Sequence, residues 1–214
     1  MGKKRAVVIG ATGLVGSELL PLLLNSDTYE QVFVLGRRST GVSHPKLEER
    51  LGDLLAEDFF EQEIQAQDWF CCIGTTQAKT PDLTTYKQID YGIPVRAAEC
   101  GLKNEMQQFL VISSLGANAN SKMFYSRVKG QMEEALKKMS LPQLRIFRPS
   151  LLMGKRNEKR FGERLALLMN SIFGFAIPKK YKGVEASKVA RAMFKAAQEQ
   201  NEQVLIESDQ ILAV

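Results

Sequence analysis

A cluster of closely spaced glycines near the amino terminus constrains the fold more than any other feature of the sequence. It follows an apolar run, Arg5–Ile9, that predicts a buried strand, and it opens a segment with a helical pattern, Gly13–Leu24. The residues of this turn are Gly10, Ala11, Thr12, Gly13, Leu14, Val15 and Gly16. A strand, a glycine turn and a helix in this order begin a βαβ unit, in which the helix amino terminus faces a phosphate.

The three glycines have separate predicted roles in such a turn. Gly10 permits a tight turn, Gly13 lets the backbone approach a pyrophosphate, and Gly16 allows close packing of helix on strand. The alternative is that the glycines only turn a corner. Because the turn lies directly between a strand and a helix, we expect all seven of its residues to contact a dinucleotide.

Alternating apolar runs and amphipathic stretches continue along the chain and predict an α/β fold. The predicted strands are Arg5–Ile9, Gln31–Leu35, Arg50–Asp53, Trp69–Ile73, Phe109–Ser113, Leu144–Arg148 and Val204–Glu207. The predicted helices are Gly13–Leu24, Asp58–Gln65, Thr84–Cys100, Tyr125–Met139, Arg160–Phe173 and Ala186–Gln200. We therefore expect one Rossmann-like domain over residues 1–214, a doubly wound parallel sheet with residues 150–185 as a small C-terminal extension on the substrate side.

Composition and charge exclude several other classes of protein. The net charge of +5 comes from 29 basic and 24 acidic residues that are interleaved, which favours a solvated surface and a pocket for an anionic cofactor over nucleic-acid binding. No stretch reaches the ~20 apolar residues of a membrane span. The apolar run that ends at Ile9 is read as a strand and not as a signal peptide.

Three cysteines, Cys71, Cys72 and Cys100, bear on the compartment and on metal binding. An odd number with two adjacent members suits neither a disulfide framework nor a metal site. We therefore expect a cytoplasmic protein without a metal, in which Cys71 and Cys72 pack as small hydrophobic residues.

The residues after the second predicted strand indicate which dinucleotide binds. An acidic residue there would bind the ribose 2′-hydroxyl of NAD, whereas arginines accommodate a 2′-phosphate. This chain has Gly36-Arg37-Arg38 and no acid. Guanidinium groups bind phosphate in a bidentate manner, so the sequence predicts NADP(H), the alternative being two exposed arginines on a loop.

Two further strand ends are predicted to complete the cofactor cleft. Ile73, Gly74, Thr75 and Thr76 end the fourth strand, where small residues let a cofactor lie against the backbone. Arg148 and Pro149 end the sixth. Because proline fixes the chain direction and has no N–H, the backbone beside Pro149 is expected to contact the nicotinamide carboxamide, unless this is an ordinary proline at a strand end.

The predicted catalytic residues are Tyr125 and Lys129, with a serine at the end of the preceding strand. Four residues make about one helical turn, so the phenol and the ammonium share one helix face. A phenol is a poor base at neutral pH, and an adjacent cation favours the phenolate. Either Ser113 or Ser114 could hold a substrate carbonyl, and Ser114 is favoured. The alternative is two capping serines and an unrelated tyrosine.

Together these motifs resemble a known family. Cys71-Cys72-Ile73-Gly74-Thr75-Thr76, Ser113-Ser114-x-Gly116-Ala117, Tyr125-x-x-Val128-Lys129-Gly130 and Phe147-Arg148-Pro149 are similar in content and order to the Tat-interacting-protein-like oxidoreductases. These are small, atypical short-chain dehydrogenase/reductases, to which the Gly-x-x-Gly-x-x-Gly spacing is also suited. The resemblance implies a Rossmann core with bound NADPH and a Ser/Tyr/Lys site, and it implies that Asp53 and the backbone of Leu54 bind the adenine amine.

The sequence thus predicts an NADPH-dependent oxidoreductase that passes hydride to a carbonyl or related group of a small molecule, with Tyr125 as proton donor. The alternative is a non-catalytic NADP(H)-binding regulator, in keeping with the link between animal family members and transcription and nuclear-transport control. The basic segment Gly154–Arg160 suggests an anionic substrate or an exposed loop. The apolar residues Leu165–Met169 and Ile172–Phe173 are expected to line the core or a pocket, the alternatives being a dimer face and a membrane-surface patch.

Overall fold

A computed structural model of the protein describes residues 2–153, 182–199 and 203–214, and a parallel sheet forms its centre. The strands in these ranges are β1 Lys4–Ile9, β2 Tyr29–Gly36, β3 Leu47–Leu51, β4 Asp68–Cys71, β5 Gln108–Ile112, β6 Leu144–Arg148, β7 Leu152–Met153, β8 Val184–Glu185 and β9 Leu205–Glu207. The α-helices are α1 Leu14–Leu24, α2 Leu83–Lys87, α3 Ile93–Lys103, α4 Phe124–Lys138, α5 Ala186–Gln198 and α6 Ser208–Leu212.

Seven strands pair in the order β3-β2-β1-β4-β5-β6-β9, and every pair is parallel. The chain moves outward from β1 to β3, then returns to β4 on the other side of β1. This reversal defines the doubly wound fold and creates a crevice outside the carboxyl ends of β1 and β4, where ligands of such sheets bind. The Rossmann-like fold predicted from the sequence is confirmed.

The central strands are apolar on both faces because helices cover both. Val8 of β1 packs in a layer with α1 and α5, and its neighbours Val7 and Ile9 pack in a second layer with α3 and α4. The alternation follows from the period of two along a strand. A strand covered on both faces reads as a continuous apolar run, which explains why the sequence identified these strands well.

The third strand is present but lies earlier than predicted. It spans Leu47–Leu51 rather than Arg50–Asp53 and forms the edge of the sheet beside β2. Its polar residues form contacts on the surface: Glu48 accepts hydrogen bonds from Gln31 and from Arg50. Charged side chains are common on edge strands, which have only one paired side, and they obscure the apolar pattern used for prediction.

The helix predicted at Asp58–Gln65 is wrong. Only a single 3₁₀ turn forms there, Asp58–Phe60. Beyond it, the Ile64 N–H donates to the Asn104 side-chain oxygen at 2.9 Å, and the Gln62 carbonyl accepts from the Asn104 side-chain nitrogen at 3.3 Å. The backbone groups that a helix would pair internally are thus bonded to the end of α3.

The helix predicted at Thr84–Cys100 is confirmed, and it has an irregularity in its middle. Between α2 and α3 the chain makes a π-helical turn, Gln88–Gly92, in which the Ile93 N–H bonds the Gln88 carbonyl five residues back. Pro94 explains the wider turn, because it has no N–H to donate to the Asp90 carbonyl four residues earlier. Asp90 therefore lies on a locally widened helix.

The carboxyl-terminal part contains two features that the sequence analysis did not find. The short strands β7 and β8 pair with one another, which brings the two ends of residues 154–181 together. The helix α6 begins at a capping box formed by Glu207 and Gln210. The predicted helix Arg160–Phe173 lies outside the described residues, as do Gly154–Arg160 and Leu165–Met169.

A buried polar cluster joins the amino-terminal ends of β2, β4 and β5, at the end of the sheet opposite the crevice. The Tyr29 hydroxyl donates to Asp68 Oδ2 at 2.6 Å, and the Gln108 amide donates to Asp68 Oδ1 at 2.8 Å and to the Ala197 carbonyl at 3.0 Å. Burial, together with the Asp68 charge, raises the pKa of Tyr29, so its hydroxyl remains a donor. The cluster attaches the end of α5 to the sheet.

Substitution of Tyr29 by Phe tests this cluster. We expect the free energy of unfolding, measured with urea, to fall by about 1.5–3 kcal/mol, because a buried hydrogen bond to a charged group is lost. Tyr91→Phe is the matched control, since the Tyr91 hydroxyl has no hydrogen-bond partner in the described parts of the chain. Equal effects of the two substitutions would show that the cluster does not contribute to stability.

Candidate active site

The glycine turn after β1 is held by close backbone contacts. Gly10 has φ +84°, and a Cβ atom there would lie 2.8 Å from the Cys72 carbonyl oxygen. At Gly16 a Cβ atom would lie 2.2 Å from the Gly10 carbonyl oxygen. The tight turn and the close helix packing expected of these two positions are therefore present, and they bring the start of α1 against the end of β4.

The amino terminus of α1 is suited to a phosphate. Its N-cap residue is Gly13, whose N–H donates to the Gly10 carbonyl at 2.9 Å, and no side chain caps the first turn. The first amide groups of a helix need partners from outside the helix, and the helix dipole favours an anion there. Leu14 and Val15 begin this helix, Ala11 is buried, and Thr12 is exposed.

The predicted 2′-phosphate residues follow β2 directly. Arg37 and Arg38 are both exposed, and neither forms an ion pair with another described residue. On the adjacent strand end, Asp53 is exposed and accepts a hydrogen bond from the Leu55 N–H at 3.0 Å. Leu54 is buried, and its carbonyl accepts from Arg96 at 2.7 Å. The arginines and Asp53 thus follow β2 and β3, the two outermost strands on one side of the sheet.

The segment after β4 lies over the predicted catalytic lysine. A Cβ atom at Gly74 would lie 3.5 Å from Asp90 Oδ1 and 3.7 Å from Lys129 Nζ. Thr75 donates its N–H to Asp90 Oδ2 at 2.8 Å, and its hydroxyl lies 2.8 Å from that of Thr80. Ile73 is half-buried and Thr76 is exposed. The segment thus connects the cofactor crevice with the lysine.

Cys71 is fully buried beneath this segment. Burial raises the pKa of its thiol to about 12, so the thiol remains protonated. It packs in the apolar layer formed with α3 and α4.

Lys129 is buried and paired with an acid that the sequence analysis did not identify. Its side chain is 4% exposed, and Nζ lies 3.0 Å from Asp90 Oδ1. Nζ also donates to the Ile112 carbonyl at 3.4 Å. Burial by itself would lower the pKa of Lys129, but the neighbouring Asp90 carboxylate and Tyr125 reverse this, and the pKa is raised. The ammonium is therefore charged throughout the neutral range.

Tyr125 lies one helical turn before Lys129 and is 42% exposed, so its side chain is partly accessible to solvent. It follows Phe124, whose ring packs edge-on against Tyr86 at a centroid distance of 5.4 Å. Tyr125 is thus partly exposed, whereas Lys129 on the same helix face is buried. A substrate could reach the phenol from solvent.

The two candidate serines have different surroundings. The Ser113 hydroxyl donates to Glu133 Oε1 at 2.5 Å, in a buried contact. Ser114 Oγ is also buried, and it has no hydrogen-bond partner in the described structure. A buried hydroxyl without a partner is costly unless a ligand supplies one. Of the two serines, Ser114 is therefore the one whose hydroxyl is not already bonded within the described structure.

Arg148 belongs to the same network as Ser113. Its guanidinium binds both carboxylate oxygens of Glu133, at 2.9 and 2.5 Å, and Glu207 at 3.1 Å. The hydrogen bond with Glu133, followed by the charges of Glu133 and Glu207, raises the pKa of Arg148 against the effect of burial. Its side chain thus joins α4, β6 and β9. The adjacent Pro149 carbonyl accepts from the Leu115 N–H at 2.9 Å.

Gly130 sets the distance between α4 and the segment that contains Ser114. A Cβ atom at Gly130 would lie 2.2 Å from the backbone nitrogen of Ala119. Glu133 and Gly130 escaped the sequence analysis as site residues, although Tyr125, Lys129 and Glu133 repeat at intervals of four and so share a helix face. For Asp90 the sequence offers only a weak signal, its spacing of four residues from Tyr86 before it and from Pro94 after it.

Comparisons with known proteins agree with this architecture. The NAD dependent epimerase/dehydratase family matches residues 6–172. Protein FMP52, mitochondrial, of Candida albicans is 30% identical over 198 residues, which is 89% of this chain and 86% of that protein. Protein HTATIP2 of Rattus norvegicus is 29% identical over 170 residues, 78% of this chain and 70% of that protein.

Solved structures share the fold at low sequence identity. The Bordetella bronchiseptica enzyme WbmH, in complex with NAD+, superimposes with a TM-score of 0.75 at 17% identity and covers 96% of this chain and 76% of its own. MoeE5 in complex with UDP-glucose and NAD has a TM-score of 0.70, also at 17% identity, over 99% of this chain and 80% of its own.

The parallel sheet, the glycine turn and the matched family define a short-chain dehydrogenase/reductase of the epimerase/dehydratase type. Within that class the chain belongs to the Tat-interacting-protein-like family of atypical members, the family of FMP52 and HTATIP2. No helix in the described ranges is long and apolar enough to cross a membrane.

Substitution of Gly16 by Ala tests the crowding at the glycine turn. Because the added methyl group would meet the Gly10 carbonyl, we expect the free energy of unfolding to fall by about 1–3 kcal/mol. We also expect dinucleotide affinity, measured by fluorescence titration, to fall at least about tenfold, since α1 must shift away from the turn. Gly92→Ala serves as control, because a Cβ atom there meets no atom within 4 Å. Wild-type stability and affinity in Gly16→Ala would contradict this account.

Proposed function

We propose that the protein is an NADP(H)-dependent oxidoreductase that reduces a carbonyl or related group of a small-molecule substrate. The observation that carries the proposal is the buried hydroxyl of Ser114, which has no partner among the described residues, at the end of the strand whose Ile112 carbonyl contacts Lys129. With Tyr125 one turn from Lys129, these groups offer a carbonyl oxygen two hydroxyls and a nearby cation.

The crevice has the features that a nicotinamide dinucleotide requires. The uncapped start of α1 suits the pyrophosphate, and the segment Ile73–Thr76 provides small residues beside Lys129. Asp53 and the backbone of Leu54 are proposed to bind the adenine, and the backbone at Arg148 and Pro149 the carboxamide. When bound, the reduced cofactor supplies the hydride.

The choice of NADP(H) over NAD(H) depends on Arg37 and Arg38. Both are exposed and without an ion-pair partner in the described structure, and no acid follows β2. A 2′-phosphate would give two adjacent guanidinium groups a doubly charged partner, whereas a 2′-hydroxyl would leave them without one.

The chain's own residues handle the proton and the substrate. The Ser114 hydroxyl donates a hydrogen bond to the substrate carbonyl oxygen and fixes its position. As hydride reaches the carbonyl carbon, the Tyr125 hydroxyl gives its proton to that oxygen, which yields the alcohol. The Lys129 ammonium then stabilises the phenolate that remains.

The substrate is proposed to be anionic and to bind beside residues 150–185. The pairing of β7 with β8 brings the ends of this segment to the carboxyl side of β6, the side on which Ser114 lies. The segment contains the basic run Gly154–Arg160. MoeE5, which shares the fold, is in complex with UDP-glucose, an anionic nucleotide sugar.

We propose the cytoplasm as the compartment, because Cys71, Cys72 and Cys100 are all free thiols. The fungal FMP52 relatives are named as mitochondrial proteins, and that compartment is a property of those relatives.

A panel of carbonyl compounds screened with NADPH tests the activity, with three single variants. We expect Tyr125→Phe to lower kcat about 10²- to 10⁴-fold, because the proton donor is removed. Ser114→Ala should lower it about 10²-fold. In Ser113→Ala we expect a loss of stability of about 1–3 kcal/mol, since Glu133 loses a donor, with a smaller change in kcat.

Turnover unchanged in Tyr125→Phe would refute the assigned donor, and nucleotide binding without turnover of any compound would favour a regulator.

Replacement of Arg37 and Arg38 by Ala tests the choice of cofactor. We expect affinity for NADPH to fall about 10- to 100-fold, because charge-assisted hydrogen bonds to the 2′-phosphate are lost, while affinity for NADH stays within about threefold. Fluorescence titration measures both. Arg127→Ala is the control, since its guanidinium bonds the carbonyls of Ser121 and Lys122. Equal binding of both nucleotides by the wild-type protein would remove the argument from the arginines.

A further inference from the structure

A buried carboxylate stands against the proposed catalytic lysine, and the proposed reaction gives it no role. Asp90 is fully buried on the π-helical turn, with Oδ1 3.0 Å from Lys129 Nζ. Its other oxygen accepts the Thr75 N–H at 2.8 Å. The contact of Oδ1 with the ammonium is an ion pair in which both side chains are buried. A carboxylate in this position changes the electrostatic effect of the Lys129 ammonium on nearby ionisable side chains.

The charge of Asp90 opposes the effect of Lys129 on the phenol of Tyr125. A lone ammonium near a phenol stabilises the phenolate. A carboxylate 3.0 Å from that ammonium converts the single charge into an ion pair, whose field falls off faster with distance. The phenol one turn away on α4 therefore experiences only part of the lysine charge.

We propose that Asp90 is a positioning residue that fixes Lys129 and offsets part of its charge, so that the Tyr125 phenolate is stabilised less than it would be beside a lone ammonium. This inference rests on the proposed function and deepens it, because a protonated phenol serves carbonyl reduction, whereas alcohol oxidation requires a base. The site is thus adapted to reduction.

Other titratable groups around the pair leave this assignment intact. Tyr86 faces it from α2, and Cys71 faces it from β4. Burial raises the pKa of both groups, with a further contribution from the Asp90 charge, so both remain protonated near neutral pH. Glu133, one turn beyond Lys129 on α4, is paired with Arg148 at 2.5 Å.

A pH titration of tyrosinate absorbance tests the proposal without any turnover. The signal of Tyr125 is the difference between each protein and the same protein carrying Tyr125→Phe. In Asp90→Asn, which keeps the size of the side chain and removes its charge, we expect the Tyr125 signal to appear at a pH lower by about one unit or more. An unchanged titration would overturn the proposal. Because no substrate is involved, this result is independent of whether the proposed reaction occurs.

The pH profile of carbonyl reduction provides a second readout. In Asp90→Asn we expect the high-pH limb of kcat to move down by a similar amount, about one unit, with KM for NADPH changed less than about threefold. Asp90→Glu, which retains the charge, should restore the wild-type profile. Asp27→Asn makes the same chemical change on an exposed residue and should leave the profile unchanged. A purely structural role would instead lower kcat at every pH without moving the limb.

A double variant keeps the proposal testable should the single variant fail to fold, since Asp90→Asn leaves a buried charge unpaired. Asp90→Asn combined with Lys129→Met removes both charges. Because Asp90 is proposed to offset part of the lysine charge in the wild-type protein, the Tyr125 titration in the double variant should rise by less than about one unit. A rise of about one unit or more would show that Lys129 acts on Tyr125 without opposition, and would overturn the proposal.

Discussion

The parallel arrangement of the seven strands is the constraint on which the candidate site depends. Since all the strands run in one direction, their carboxyl ends meet at a single edge, and the residues that follow them are brought together from distant parts of the chain. Gly10, Arg37, Gly74, Ser114 and Pro149 each lie within three residues of the end of a strand of this sheet. The backbone crowding at Gly10 and Gly16 then closes the distance between α1 and the end of β4.

Two buried polar networks support the sheet, one at the amino-terminal ends of its strands and one at their carboxyl-terminal ends. At the amino edge, Asp68 gathers Tyr29 and Gln108 and attaches α5. At the carboxyl edge, Glu133 binds Ser113 and Arg148, and so connects α4 with β5 and β6. The second network lies next to the site, and it occupies Ser113 while Ser114 stays available. Rigidity at the site is therefore supplied by residues that do not contact the substrate in the proposed reaction.

The fold could be predicted from the sequence because its strongest signals are local. Buried parallel strands give continuous apolar runs, such as Arg5–Ile9, and helices repeat apolar residues at their own period. Prediction failed where tertiary contacts competed with local preference. At Asp58–Gln65 the side chain of Asn104 takes up the backbone groups, and at the edge strand β3 charged residues conceal the pattern.

The sequence by itself determined the βαβ start, the order of the elements and the residue types at each strand end, because glycine spacing, apolar periodicity and short motifs depend on neighbours along the chain. Only the tertiary structure decided that Asp90 lies against Lys129, and that Ser113 is bonded while Ser114 has no partner in the described structure. Asp90 and Lys129 are 39 positions apart, on different helices. Their pairing depends on a helix widened before Pro94 and on the depth at which two helices pack, which no local pattern in the chain encodes.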